Sequence, residues 1–411
     1  MMISGEGVGR ENQPGTPRLL RALNERILVD HLRKNGPQSR AQLARATGLS
    51  KPTVSNALGN LERVGLVRPT GERSSERGGR HGVLYEADPT AGYVLGIDIG
   101  RSWIRVAISD LAGEIVVRRD GRNQAQTATT LVSMTADLAR KTVSEAGLTW
   151  SQVVHTVAGT PGVFDQAGGR VILAPNLPGL EQQGIIEMLQ NALGPGLTVD
   201  NDANLAALGE RVFGGGREVN TFVFLTIGTG LGMGIITNGA LYRGAHGAGG
   251  EVAYLPLGMP TVPNAESSAG KRGMLEEAVA ARGIVNSALA MGMQPPVSAK
   301  RIFADARAGD SLALAVIERE TQLLAQAIAA VAAILDPEMV VIGGGIGQNF
   351  DLLGQRLEHH LHEITLIRPR IVPSTLDQDV VLLGAIATGL EIANDLVFQQ
   401  RAGDGHANSA T

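Results

Sequence analysis

The sequence predicts an α/β protein built from two unequal modules, and three observations carry that prediction. Charge is divided along the chain: residues 1–90 hold 14 Lys and Arg against 9 Asp and Glu, whereas the remainder holds 22 against 31. Apolar spacing changes too, from a helical period before residue 65 to Val/Ile runs of strand character after Tyr93. Gly is abundant, at 54 of 411 residues, and aromatics make up only 3%, as expected where many tight turns join strands to helices. A chain of this length exceeds one ordinary core. Without Cys, disulfides and thiolate metal sites are excluded. No apolar leader precedes Pro17 and no run of about eighteen apolar residues occurs, so the expectation is a cytoplasmic protein without membrane contact.

Residues 1–16 are Gly/Glu/Asn/Pro-rich and aperiodic, which predicts a disordered N-terminus. From Arg18, apolar positions Leu19, Leu23, Ile27, Leu28 and Leu32 follow helical spacing, and Asn35-Gly36-Pro37 stops the helix. Ser39 caps a short second helix, Thr47-Gly48-Leu49 turns the chain, and Ser50 caps a third with Pro52 in its first turn. That third helix is expected to turn Val54, Leu58, Leu61 and Val64 inward. Arg40, Ser50, Lys51, Thr53, Ser55, Asn56 and Asn60 are then the candidates for contact with DNA. A polar, uncharged-to-basic outer face suits base edges in the major groove, and the helix N-terminus suits phosphate. Two short strands, Gly65–Arg68 and Val83–Tyr85, flank the loop Glu72–Arg80. This is a wing, in which Arg73, Arg77 and Arg80 suit phosphate or the minor groove.

The second module opens with a hairpin, Val94–Gly100 and Trp103–Asp110, with Asp98 at its turn. A helix over Leu131–Ala146, a strand over Val153–Val157 and a polar loop, Ala174–Gly179, follow. At its centre stands Asp200-Asn201-Asp202-Ala203-Asn204, a polar strand end running into an Ala/Leu-rich helix. Asp200 and Asp202 could simply cap that helix. The same carboxylates and carboxamides also suit a polyhydroxylated ligand, whose hydroxyls donate and accept at once. The strands Thr221–Leu225 and Gly232–Ile236 flank the turn Gly228-Thr229-Gly230, suited to close backbone approach to an anion. A long helix, Ser311–Leu335, leads to the buried strand and glycine turn of Met339–Ile346.

Taken in order, these segments resemble the ROK family of repressors, open reading frames and kinases. The resemblance covers roughly Pro17 to Leu390. It rests on Gly-Gly-Arg at 78–80, Gly-Ile-Asp-Ile-Gly at 96–100, Gly-Thr-Pro-Gly at 159–162 and Ala-Pro-Asn-Leu-Pro-Gly at 174–179. Asn-Asp-Ala-Asn at 201–204, Gly-Thr-Gly-Leu-Gly at 228–232, Gly-Ala-Gly-Gly-Glu at 247–251 and Gly343-Gly344-Gly345 complete it. It implies a winged helix-turn-helix over 17–88 and a two-lobed, actin-like, ribonuclease-H-fold sugar-kinase domain over 92–395, with a flexible tail over 396–411. It further implies that Asn176, Asn201, Asp202, Glu251, Tyr254 and Glu276 line a sugar cleft, with Asp202 at the family's catalytic base position. Asp98, Gly100, Gly228, Thr229, Gly230 and Gly344 would occupy its phosphate and nucleotide positions.

The chain departs from the family pattern in two places. Arg101-Ser102 follows Gly100 where the family has a second glycine and a threonine, so ATP and Mg2+ are not expected. Tyr254 stands at the family's zinc-binding His, and the run Ser267–Glu276 keeps its glycines and final Glu while losing every Cys, so no metal is expected. His246 is a second candidate for the missing imidazole. The expected partners are operator DNA, a sugar or sugar phosphate, and further copies in a homodimer or homotetramer. Three readings stay open: a sugar-controlled transcriptional regulator, most simply a repressor; an ATP-dependent sugar kinase carrying a DNA-binding arm; or a regulator controlled by a protein partner without a sugar, against which the retention of Asn201, Asp202, Glu251 and Glu276 speaks.

Overall fold

The computed structural model describes residues 17–73, 82–165, 170–174, 176–194, 196–257, 267 and 271–407. The chain divides into two compact units, Met1–Gly92 with Asn394–Thr411, and Tyr93–Ala393.

The first unit holds three helices, α1 (Pro17–Asn35), α2 (Arg40–Thr47) and α3 (Lys51–Arg63), with strands β1 (Gln38–Ser39), β2 (Val67–Arg73) and β3 (Gly82–Ala87). Ser39 and Gln42 close a reciprocal capping box at the start of α2, and Gly48 ends it in the left-handed conformation. Ser50 accepts from the Thr53 amide to start α3. The strands form one antiparallel sheet in the order β1-β3-β2, so the expected wing is present and its strands extend past the predicted ends. Helix α1 differs from expectation. Leu28, Val29 and Leu32 are buried, but Leu19, Leu23 and Ile27 are exposed, because the other two helices cover only the C-terminal half of the stripe.

The predicted tail, 396–411, is helical as far as Ala407, and 408–411 lie outside the described residues. One helix runs over Val380–Ala407, and its residues from Asn394 belong to the first unit. There the Arg401 guanidinium donates to the carbonyls of Val64, Gly65 and Ala91, while Arg26 pairs with Asp395 and lies over the Phe398 ring. By length and composition this helix could cross a membrane, yet nearly half of it is buried against the chain's own residues.

The second unit contains two five-stranded sheets with one topology. In the first, β4 (Tyr93–Ile99), β5 (Trp103–Asp110) and β6 (Ile115–Arg122) form a meander. β7 (Val153–Thr160) adds in parallel to β4, and β10 (Leu197–Asn201) adds in parallel to β7. In the second, β11 (Phe222–Ile227), β12 (Leu231–Thr237) and β13 (Ala240–Leu241) make the meander, and β14 (Met339–Gly343) and β15 (Arg370–Pro373) add in parallel. A two-stranded ribbon of β8 (Val163–Asp165) and β9 (Arg170–Ile172) stands apart. Each sheet has its own apolar core; that of the first packs under α4 (Ala128–Glu145) and α5 (Ile185–Leu193). This repeated half is the expected two-lobed α/β fold. Two details differ from the sequence reading. Asp98 lies inside β4, and the turn falls at Gly100–Ser102. The helix α6 (Asp202–Val212) is capped by Asn201, whose Oδ1 accepts from the Asn204 amide, and not by Asp200 or Asp202.

Candidate effector cavity and nucleic-acid interface

Three kinds of backbone converge on one cavity of about 280 Å³ in the second unit: the end of β10 with the start of α6, the β11–β12 turn, and the segments around Glu251 and Glu276. Asn176, Asn201, Asp202, Glu251, Tyr254 and Glu276 all line it, as do Gly100, Gly228, Thr229, Gly230 and Gly344. Residues separated by as much as 244 positions are therefore neighbours: Gly100 follows β4, Asp202 begins α6, Gly228–Gly230 join β11 to β12, and Gly344 follows β14. Asp98 is the exception. It is buried and absent from the lining, and its carboxylate takes an Arg105 guanidinium N–H at 2.9 Å, from the adjacent strand.

The polar groups are held by their own network. Glu276 accepts from the Asn176 amide at 3.0 Å and from the Leu231 backbone N–H at 2.9 Å. A Cβ at Gly230 would come within 2.8 Å of that carboxylate, so a side chain there would displace Glu276 from its two hydrogen bonds. The Asn201 side chain donates to the Gly162 carbonyl at 2.9 Å, which fixes its amide orientation. Burial pushes the Asp202, Glu251 and Glu276 carboxyls up together. For Glu251, reinforced by Asp202 and Glu276, the value reaches about 7. Three acids in one small cavity suit a ligand rich in hydroxyl donors.

Arg101, Lys271 and Arg272 also line the cavity, and sequence reading had assigned the last two no role. Their signal was available: a basic pair inside the run that lost its cysteines. The Tyr254 hydroxyl donates to the Lys271 carbonyl at 2.7 Å, which joins the two segments whose family counterparts the metal would hold. A phenol already committed to a carbonyl does not fit a zinc ligand set. Asp98 does not line the cavity; its carboxylate is paired with Arg105, and burial with the neighbouring Asp202 raises it to about 6, so it does not fit a Mg2+ ligand either. His246 lines a neighbouring cavity of about 790 Å³ with Asp200, Asn204 and Arg243, and so does not replace the missing imidazole.

On the first unit, Ser50, Lys51, Ser55 and Asn56 are exposed on α3 and Thr53 is half-buried. Asn60 does not join them: its amide turns back to the buried Glu25 of α1 at 3.0 Å. Arg40 is exposed at the start of α2, its guanidinium 5.0 Å over the Tyr85 ring. Arg73 ends β2, while Arg77 and Arg80 lie outside the described residues.

Residues 94–391 match the ROK family, and residues 22–80 match the MarR family. The chain belongs to the ROK family. A xylose repressor of Caldicellulosiruptor bescii is 27% identical over 402 residues, which covers 94% of this chain and all of that one. A glucokinase of Halalkalibacterium halodurans is 31% identical over 314 residues, covering 71% of this chain and 93% of the kinase. A solved ROK transcriptional regulator, described as a homologue of an Escherichia coli MLC protein, superposes with a TM-score of 0.74 at 22% identity. It covers 93% of this chain and 99% of that structure. The kinase match thus spans 71% of this chain, whereas the repressor match spans 94% and so includes part of the first unit.

Proposed function

We propose that this protein is a DNA-binding transcriptional repressor of carbohydrate metabolism, controlled by a sugar or sugar phosphate in the cavity around Asp202, Glu251 and Glu276. The observation that carries this reading is the pairing, in one ROK chain, of a polar cavity with a winged helix whose exposed α3 face presents Lys51, Ser55 and Asn56. The Arg105–Asp98 pair and Arg101 at the first phosphate position argue against phosphoryl transfer, so neither ATP nor a metal is required. In this reading the protein acts in the cytoplasm as a homodimer or homotetramer, since helix-turn-helix modules read paired half-sites about one helical turn apart. Ligand binding shifts operator affinity only to the extent that the sugar prefers one of the two states.

Fluorescence anisotropy on the DNA upstream of its own gene, at fixed salt, tests this. One sugar or sugar phosphate should release the protein, and Glu251→Ala should bind DNA yet ignore that compound. Absence of specific DNA binding would overturn the proposal. A kinase reading keeps one observation in its favour, that Asp202 and the Gly228–Gly230 turn line the same cavity. Sugar-dependent ATP consumption abolished by Asp202→Asn would establish it.

A further inference from the structure

Outside the effector cavity, one cluster of metal-ligating side chains occurs among the described residues. It lies on the helix Phe350–Ile364, between β14 and β15, which packs against the long helix Ser311–Leu335. One ligand atom each from His359, His360 and Glu363 falls within 4.8 Å of the others. His359 Nε2 stands 3.6 Å from Glu363 Oε1, and His360 Nδ1 stands 3.4 Å from Glu363 Oε2. Both separations exceed a strong N–H···O hydrogen bond. They bring one oxygen of the Glu363 carboxylate to each imidazole, so that both rings and the carboxylate reach a common point between them.

A second observation concerns the buried ring. His360 is only 7% exposed, and its Nε2 lies 2.8 Å from Glu318 Oε1 of the long helix. A carboxylate against one imidazole nitrogen with a metal on the other is the usual support of a metal-bound histidine. It fixes which nitrogen faces the ion and raises its basicity. Arg356, 3.6 Å from the other Glu318 oxygen, holds that carboxylate in turn.

We propose that His359, His360 and Glu363 bind one Zn2+ ion, with Glu318 orienting His360 and water completing the coordination. Two imidazoles and a carboxylate select zinc over the oxygen-seeking Mg2+ and Ca2+. The ion would pin the end of one helix to its neighbour through the Glu318–His360 contact, without touching the sugar cavity.

The test is calorimetric titration of the full-length protein with Zn2+ alone, with Co2+ absorption as a report on geometry. One equivalent should bind, and Co2+ should give a tetrahedral spectrum. His359→Ala and Glu363→Gln, both at exposed positions, should each weaken binding at least tenfold and remove that spectrum. Glu318→Gln, which deletes no ligand, should weaken it about 10–100-fold. Binding of unchanged affinity in His359→Ala and Glu363→Gln would overturn the proposal, as would the absence of any binding by a wild-type protein that still responds to its operator DNA.

Discussion

Glu251 is close to half-protonated at neutral pH, because burial and two neighbouring acids raise it to about 7. Sugar hydroxyls donate best to the ionised form, so ligand affinity should increase from pH 6 to pH 8. The slope should approach tenfold per pH unit on the acid side of the midpoint. Calorimetric titrations at several pH values check this, and Glu251→Gln should flatten the profile. The stability of the unliganded protein should move in the opposite sense. A carboxyl raised from its unfolded value of 4.5 keeps its proton in the folded state, so stability is lost as pH climbs through 7. On the first unit, Asn56 and Asn60 make a contrast that sequence periodicity did not reveal. Asn56→Ala should cost about 1–3 kcal/mol of operator discrimination with little change in melting. Asn60→Ala removes a partner of buried Glu25 and should cost about 1–3 kcal/mol of stability, with direct DNA contacts intact. Anisotropy and thermal denaturation on the same two variants separate the effects. Helical spacing told only that Asn60 was polar; its facing toward Glu25 is set by how α1 crosses α3.

At the scale of elements, α6 is joined to the helix Val380–Ala407 by an unusually close crossing. A side-chain carbon at Gly384 would lie 1.7 Å from the Leu205 carbonyl oxygen, and one at Gly209 would lie 2.4 Å from that of Val380. Backbone cannot yield as a flexible side chain can. Gly384→Ala should therefore destabilise the second unit by roughly 3 kcal/mol or more, visible as a lower denaturation midpoint. Since α6 begins at Asn201 and Asp202, a weakened sugar response should accompany the loss. The sequence displayed most elements of this unit because each has a local signature. Alternating Val and Ile marked β4 and β5, the Ala/Leu period marked Ser311–Leu335, and the ordered glycine motifs marked the cavity edges. It did not display that Asp98 would be claimed by Arg105, since that pair depends on the antiparallel register of β4 against β5. Nor could it display the Tyr254–Lys271 bond, which depends on two loops meeting.

At the scale of the whole molecule, the first unit is assembled from both ends of the chain. Residues before Gly92 supply the recognition helix and wing, and residues after Asn394 supply a helix whose Arg401 holds the Val64, Gly65 and Ala91 carbonyls. Arg401→Ala should lower the stability of this unit by about 1–3 kcal/mol and weaken operator binding, and hydrogen exchange at the α3–β2 junction would report it. The sequence reading treated 396–411 as a flexible tail because no local pattern reveals that one helix can serve two units. A ribosome must complete the entire second unit before the last part of the DNA-binding module emerges, on the order of tens of seconds after the first part at 5–20 residues per second. Messages cut short before Asn394 therefore yield proteins whose first unit lacks the helix that holds Val64, Gly65 and Ala91 through Arg401.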